Sequence, residues 1–504
     1  MILRRIAKAL GLEGVDRLTV WIFAAAIVIS SVLRFVVAPQ IPLWLDETWT
    51  GGIAGQPSWA DVIRQTWLDA NAPLYYLFMH GWIGLFGQSN ISLRAPSLIF
   101  GLATPFVPLL IKVDSWRPQD RFALGVMLAV WTQGYVMSQE ARCYTLLLLL
   151  AAIQTLAFAR LMREPSLRRA LIWAGLGSLV MATHYQATAL GAVQGLIYLA
   201  VHRMRAVRTF PALIGYAPGF AVLAWHLPRL LQFARPDVAW YDLVTPDAMV
   251  EVVNFITDRW PLLFLPAAGL ILAMVQGLSR KAPPPRSTAP AALWLAGLSA
   301  LIGLVLVVGI GVVRPSFALR YATPFVPGLF LLASLLTGCL TPVFPLARIA
   351  LMLMVLANST LWGATSAGKL WRFFTYEAAS RDLVATHPTR LVFIWDHPAQ
   401  QVEDESQYVA AGGFFFRRAG ANIPVTAVMV RPGDDPNLKL VAAAREPGAV
   451  ILWIYDVRVH GTAATGFRPR IPVVDPSFGC HQYGRGRFGV LACSRRFEKG
   501  ALAP

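Results

Sequence analysis

Charge is scarce in this chain. Only 14% of its 504 residues are Asp, Glu, Lys or Arg, where an ordinary soluble domain carries roughly 25%. That shortage excludes a soluble protein of this length. Acidic side chains are rarer than basic ones, 27 against 44. Cysteine is nearly absent, at four residues, and no spacing suits a bound metal. No glycine-rich loop of the kind that cradles nucleotide phosphates is present. Apolar sequence takes their place: 56% of the residues are hydrophobic. Runs of about 20 such residues recur from the N-terminus to about residue 366.

These runs define a polytopic α-helical membrane protein. The net charge of +17 could suggest nucleic acid. The Lys and Arg residues sit mainly in short loops between apolar runs, however, which is the positive-inside pattern. Arg4, Arg5 and Lys8 precede the first run, and no small-residue cleavage site follows it. It reads as a retained span rather than a cleaved signal. Candidate spans are 17–37, 94–112, 122–138, 143–160, 170–183, 186–202, 210–231, 260–278, 291–313, 318–338 and 346–365. Four basic clusters are expected to be cytoplasmic: Lys112/Arg117/Arg121, Arg160/Arg163/Arg168/Arg169, Arg203/Arg205/Arg208 and Arg280/Lys281/Arg286. Residues 73–87 are apolar and aromatic but only about 15 long, short for a span. They read as a helix lying in the interface, with Tyr75, Tyr76, His80 and Trp82 at headgroup depth. The expected fold is about 11 transmembrane helices, with interfacial helices in the first outer loop and the C-terminus outside.

This arithmetic collects sequence-distant polar groups on the outer face. They are Asp46-Glu47, Asp69 to Pro73, Gln139-Glu140-Ala141-Arg142, His184-Tyr185, the 233–259 loop, Arg314 and Arg320-Tyr321. Random placement would split them between the two faces. A membrane protein that sets carboxylates where lipid meets water is usually binding or transforming something there. A carboxylate such as Asp46 can deprotonate an attacking hydroxyl or amine. An Arg can hold a phosphate through paired N–H donors, and Trp or Tyr can stack on a sugar or an isoprenoid tail. A sugar carried on a polyprenyl phosphate needs all three. Simpler roles exist for each group. Asp46-Glu47 could merely suit a helix N-terminus, and Glu140 with Arg142 could be a structural ion pair. Arg320 could snorkel to the interface, His184 could pack between helices, and Asp237, Asp242 and Asp258-Arg259 could be solvated loop residues.

Beyond about residue 366 charge, Gly and Pro become frequent. The runs 391–395 and 449–455 read as buried strands, and stretches near 376–386 and 403–418 as helices. Residues 1–366 thus form a transmembrane domain and 367–504 an outer α/β domain large enough for its own core. Cys480 and Cys493 flank a potential hairpin. They could pair in an oxidising compartment or remain two buried thiols. Cys143 and Cys339, in or beside spans, read as packing residues.

At these motifs the chain resembles the GT-C membrane glycosyltransferases, specifically glycosyltransferase family 39 and its bacterial relatives. That group includes the protein O-mannosyltransferases and the lipid A aminoarabinose transferases. The resemblance covers about residues 15–366. Leu45-Asp46-Glu47 matches the acidic motif after the first span, and Asp69-Ala70-Asn71-Ala72-Pro73-Leu74-Tyr75-Tyr76 is similar to the family string Asp, any residue, His, Pro, Pro, Leu, Tyr, Tyr. Gln139-Glu140-Ala141-Arg142-Cys143-Tyr144 is similar to the second outer-loop motif, and Arg320-Tyr321 with Pro324 and Pro327 to a late-span pattern. The resemblance implies catalytic roles for Asp46, Glu47 and Glu140, with Asp46 as base. It implies that Glu140 and Arg142 help shape the acceptor and donor site and that Arg320 and Tyr321 approach the donor phosphate; Asp69, Asn71, Tyr75, Tyr144, His184, Tyr185 and Arg259 complete the candidate substrate-binding set on the outer face.

The implied reaction is an inverting transfer of a monosaccharide from a polyprenyl phosphate to a glycan, lipid or protein acceptor. The implied place is the periplasmic face of a bacterial inner membrane, with no metal, cofactor or nucleic-acid partner expected. Asn71 stands where relatives have His or Lys, and Ala72 where they have Pro. The phosphate's cation would then come from Arg142, Arg259, Arg314 or Arg320. Three rivals make different demands. A transporter or flippase calls for mid-membrane ionisable residues and repeated halves, and a scaffold leaves the outer-face strings without a use. A diphosphate-donor ligase requires a divalent metal. The topology predicts that a cysteine introduced at position 140 is labelled from outside cells and one at position 116 is not. Equal labelling refutes the eleven-span reading.

Overall fold

The computed structural model describes residues 13–37, 41–233, 243–258, 261–278, 290–370, 375–396, 404–430, 444–456, 477–483 and 488–498. The chain divides into two compact units that do not follow chain order. One comprises 1–39, 94–228 and 241–368; the other comprises 40–93, 229–240 and 369–504.

The first unit is helical. A helix occupies each of the eleven segments read as spans. Among the described residues six helices are long and apolar enough to cross a membrane: Arg17–Phe35, Asn90–Leu110, Tyr144–Arg163, Phe210–Phe233, Ala291–Val313 and Leu319–Cys339. A bent pair, Pro246–Thr257 with Leu262–Val275, makes a seventh if counted as one span. Packing is tight where side chains are small. A Cβ on Gly269 would lie 2.0 Å from the Leu336 carbonyl oxygen, so the helices Pro261–Leu278 and Val326–Cys339 meet backbone to backbone.

One expected span is broken. The segment 122–138 reads as continuous apolar sequence, but the structure divides it into helices Pro118–Val130 and Thr132–Ser138 at Trp131. The backbone groups released by the break find partners. Asp258 Oδ2 accepts from the Thr132 N–H at 2.9 Å. The Ala129 carbonyl accepts from Ser30 Oγ and from the Arg34 guanidinium, and the Val130 carbonyl accepts from Ser359 Oγ. Trp131 itself donates its indole N–H to the Phe255 carbonyl. Arg34 also donates to Ser138 Oγ and lies over the Tyr135 ring.

The second unit joins residues 40–93 to the C-terminal segment. Its sheet has strands β1 (Arg390–Asp396), β2 (Val425–Met429), β3 (Ala449–Asp456), β4 (Gly479–Tyr483) and β5 (Phe488–Ser494), in the order β2-β1-β3-β5-β4. β1 lies parallel between β2 and β3, with Leu391 opposite both Val425 and Val450. Burial on both faces explains its unbroken apolar run. β5 pairs antiparallel with β3 and β4. That hairpin places Cys480 opposite Cys493, and the two are joined as a disulfide. Cys143 and Cys339 are buried free thiols.

The loop helix Leu45–Ala54 lies against this domain. A Cβ on Gly51 would come within 2.4 Å of the buried Phe414 ring, and one on Gly52 within 3.1 Å of the Ala410 carbonyl oxygen. Trp49 meets Tyr408 edge to face. Glu377 is the polar anchor. Its carboxylate accepts from the Leu43 backbone N–H at 2.9 Å, from Asn90 Nδ2 and from Arg418 at 2.8 Å. Glu377→Ala leaves three donors without their acceptor. It should destabilise this unit by about 2 kcal/mol, seen as faster limited proteolysis within residues 377–498. An unchanged cleavage rate removes Glu377 from this role.

Candidate functional site

The sequence motifs fall into two groups, one in each unit. In the second unit, Asp46 and Glu47 occupy the first turn of Leu45–Ala54. Acidic side chains there oppose the positive end of the helix dipole. The two differ in surroundings. Glu47 is fully buried, and its Oε2 accepts from the Trp44 N–H at 3.1 Å, closing the turn from within. Asp46 is half-buried. Glu47 thus has a visible structural duty, and Asp46 is the more accessible carboxylate of the pair.

The second loop motif is tied to itself. Asp69 ends the helix Trp59–Leu68. Its Oδ2 accepts from Asn71 Nδ2 at 2.9 Å and from the Tyr76 hydroxyl at 2.5 Å. Tyr75 is buried beside them. The sequence reading missed Arg229, which is buried and donates to the Leu68 carbonyl at 3.1 Å, immediately before Asp69. Its neighbours Gln232 and Phe233 hold the guanidinium from the side. The available signal was one Arg near the end of an otherwise apolar helix.

In the helical unit the motifs converge. Gln139, Glu140, Ala141 and Arg142 form a buried turn between the helices Thr132–Ser138 and Tyr144–Arg163. The Arg142 N–H bonds the Glu140 carbonyl at 2.8 Å, and the Arg142 carbonyl accepts from Ser97 Oγ at 3.1 Å. Arg320 and Tyr321 lie on a tight 3₁₀ stretch, Leu319–Phe325, that leads into Val326–Cys339. Pro324 and Pro327 suit such a start, where no intrahelical N–H is yet required. The Arg320 guanidinium sits 5.7 Å from the centroid of the Tyr144 ring. The His184 ring, in the turn after Leu167–Thr183, lies 4.4 Å from that of Tyr321 and 6.0 Å from that of Tyr144. Arg142, Tyr144, His184, Arg320 and Tyr321 are therefore one group.

Two buried polar atoms in it, the Tyr144 hydroxyl and His184 Nδ1, have no hydrogen-bond partner among the described residues. Leaving such atoms unsatisfied is costly unless something else meets them. Tyr185 is turned elsewhere, with its hydroxyl 2.7 Å from His226 Nδ1. Arg259 lies outside the described residues, as do Asp237 and Asp242. Burial, and then the charges of Arg320 and Arg142, hold His184 down to about 3, from an ordinary 6.5.

His184 is therefore neutral at pH 7, able to donate or accept one hydrogen bond but carrying no charge. The unfolded chain takes up a proton below about pH 6.5 that the folded chain refuses until about pH 3. Stability should therefore fall as pH drops through that window. His184→Gln should flatten the decline in melting temperature between pH 6.5 and pH 4. An identical slope in the variant refutes a buried neutral imidazole.

No family model matches the sequence, and no curated protein matches it. Solved structures do. ArnT from Cupriavidus metallidurans in the apo state superposes with a TM-score of 0.57 at 14% identity, over 94% of this chain and 97% of that one. The same protein bound to undecaprenyl phosphate superposes at 0.50, with 13% identity and the same coverage. The oligosaccharyltransferase of Archaeoglobus fulgidus, in complex with Zn and sulfate, superposes at 0.50 with 10% identity, over 93% of this chain and 72% of that one. The match runs through both the helices and the C-terminal domain, so this chain shares the fold of these structures.

Proposed function

We propose that the protein is a membrane glycosyltransferase that moves a monosaccharide from a polyprenyl phosphate to an acceptor on the outer face of the membrane. The observation that carries this reading is the group built from Arg142, Tyr144, His184, Arg320 and Tyr321. Two guanidiniums attract an oxyanion, and Arg pairs with phosphate through parallel N–H donors. The unsatisfied Tyr144 hydroxyl and His184 Nδ1 supply two further polar atoms of the kind a phosphate oxygen or a sugar hydroxyl engages. Aromatic rings suit a sugar face or an isoprenoid chain. The undecaprenyl phosphate bound to ArnT, a protein of the same fold, is consistent with such a donor.

The chemistry assigned to the motifs is a single displacement. Asp46 takes the proton from the acceptor hydroxyl or amine. The acceptor atom bonds to the anomeric carbon from the side opposite the phosphate, so configuration inverts. The bond from that carbon to the phosphate oxygen breaks, and its electron pair leaves with the polyprenyl phosphate. Arg320 and Arg142, with Tyr321, stabilise the charge gathering on that oxygen. Asp69, Asn71 and Tyr75 contribute to substrate binding, and Glu140 with Arg142 helps shape the acceptor and donor site. A phosphate monoester leaving group departs with little help, so the base is the group the reaction most needs. The site is assigned to the periplasmic face of a bacterial inner membrane.

Purified protein supplied with a panel of polyprenyl-phosphate monosaccharides and a membrane extract should consume one donor, and chelation should not stop it. Asp46→Asn should lower turnover by about 10²- to 10⁴-fold at unchanged expression and melting temperature. Near-normal turnover sinks the base assignment. Glu140→Gln and Arg320→Ala should each reduce transfer, and silence of both rules out the proposed phosphate site. Activity that requires a divalent cation favours a diphosphate donor instead.

A further inference from the structure

A cavity in the helical unit is lined by none of the candidate site residues. Its volume is about 760 Å³, and it opens around the turn Glu164-Pro165-Ser166 between the helices Tyr144–Arg163 and Leu167–Thr183. Its walls have two characters. Ile153, Ala157, Ile172 and Leu176 make an apolar floor from the facing sides of the two helices. Lys112, Arg160, Arg163, Arg168 and Arg169 ring the mouth, against only two carboxylates, Asp114 and Glu164.

The carboxylates do not consume this charge. Glu164 is taken by Arg169 at 2.5 Å. Asp114 lies 4.0 Å from Lys112, at the outer limit of an ion pair. Arg160 and Arg163 are held in place by carbonyl oxygens rather than by acids: Arg160 Nε donates to Lys112 at 2.6 Å, and Arg163 Nη1 to Asp114 at 2.5 Å. Each keeps further N–H donors, because a guanidinium has five. Arg168 is exposed and has no hydrogen bond or ion pair among the described residues. The arrangement is a set of oriented cations above an apolar slot.

We infer that this cavity binds an anionic phospholipid, with its phosphate among Arg160, Arg163 and Arg168 and an acyl chain along the apolar floor. A free phosphate would use the cations but not the floor. A zwitterionic lipid would use the floor and leave the excess positive charge unbalanced. Basic pockets between membrane helices recognise anionic headgroups by this combination of features. The site is independent of the transfer chemistry and stands whether or not that reading holds.

The test uses the purified full-length protein in detergent and native mass spectrometry. The probes are phosphatidylglycerol, phosphatidylethanolamine with the same acyl chains, and water-soluble glycerol phosphate. Wild type should retain phosphatidylglycerol in preference to both others. Arg168→Gln removes an exposed, unpartnered cation and leaves folding intact. It should weaken phosphatidylglycerol retention roughly fivefold, and Arg163→Gln/Arg168→Gln should weaken it further. Equal retention by wild type and Arg168→Gln overturns the proposal. So does equal binding of phosphatidylethanolamine, which leaves a merely greasy groove, and so does equal binding of glycerol phosphate, which leaves a phosphate site with no use for lipid.

Discussion

A hydrocarbon surrounding offers no partner for a peptide N–H or C=O, so every backbone group within it must be satisfied by the protein itself. The helical unit depends on that constraint. It explains why the apolar runs are helices, and it governs what happens where a helix stops. At Trp131 the ladder is interrupted, and Asp258, Ser30, Arg34 and Ser359 arrive from three other parts of the chain to take up the released groups. Those side chains are polar residues in apolar sequence because the break requires them. The short helix beyond the break, Thr132–Ser138, then carries the chain into the buried turn of Glu140 and Arg142. The motif's position is thus set by a defect in a helix and by the side chains that repair it.

The second unit rests on contact between small and large residues. Gly51 and Gly52 let the Asp46 helix approach Phe414 and the Ala410 backbone more closely than any side chain would permit. Glu47 closes the first turn of the same helix from inside. Packing, capping and the Glu377 anchor all restrain one ten-residue helix. That restraint matters for the role proposed for Asp46, because a general base acts only within hydrogen-bond reach of the proton it takes.

Much of this was readable in the residues. Apolar length located the helices, since a membrane span needs about 20 apolar residues whatever its neighbours. The continuous runs 391–395 and 449–455 became β1 and β3 because a strand buried on both faces carries no polar alternation. Other features depend on contacts between distant residues and leave no local trace. The Trp131 break lies in unbroken apolar sequence, and its partners are up to 229 positions away. The grouping of 40–93 with the C-terminal segment is likewise a matter of tertiary packing. Of the candidate site, the motif strings singled out Arg142, Tyr144, Arg320 and Tyr321 and the outer-face list added His184, and these five gather in the structure. The strings did not reveal that Asp69 is held by Asn71 and Tyr76, that Tyr185 faces His226, or that Arg229 is buried beside Leu68.

The anchor at Glu377 also bears on synthesis. Leu43 is made 334 residues before the carboxylate that fixes it, and Gly51 long before Phe414. Until that part of the chain is made, the helix Leu45–Ala54 has its own neighbours, with Ile53 packed against Val62 and Tyr76, but lacks Phe414, Tyr408 and Glu377. The contacts that tie the start of this helix to the C-terminal segment can therefore form only after Glu377 and Arg418 have been translated.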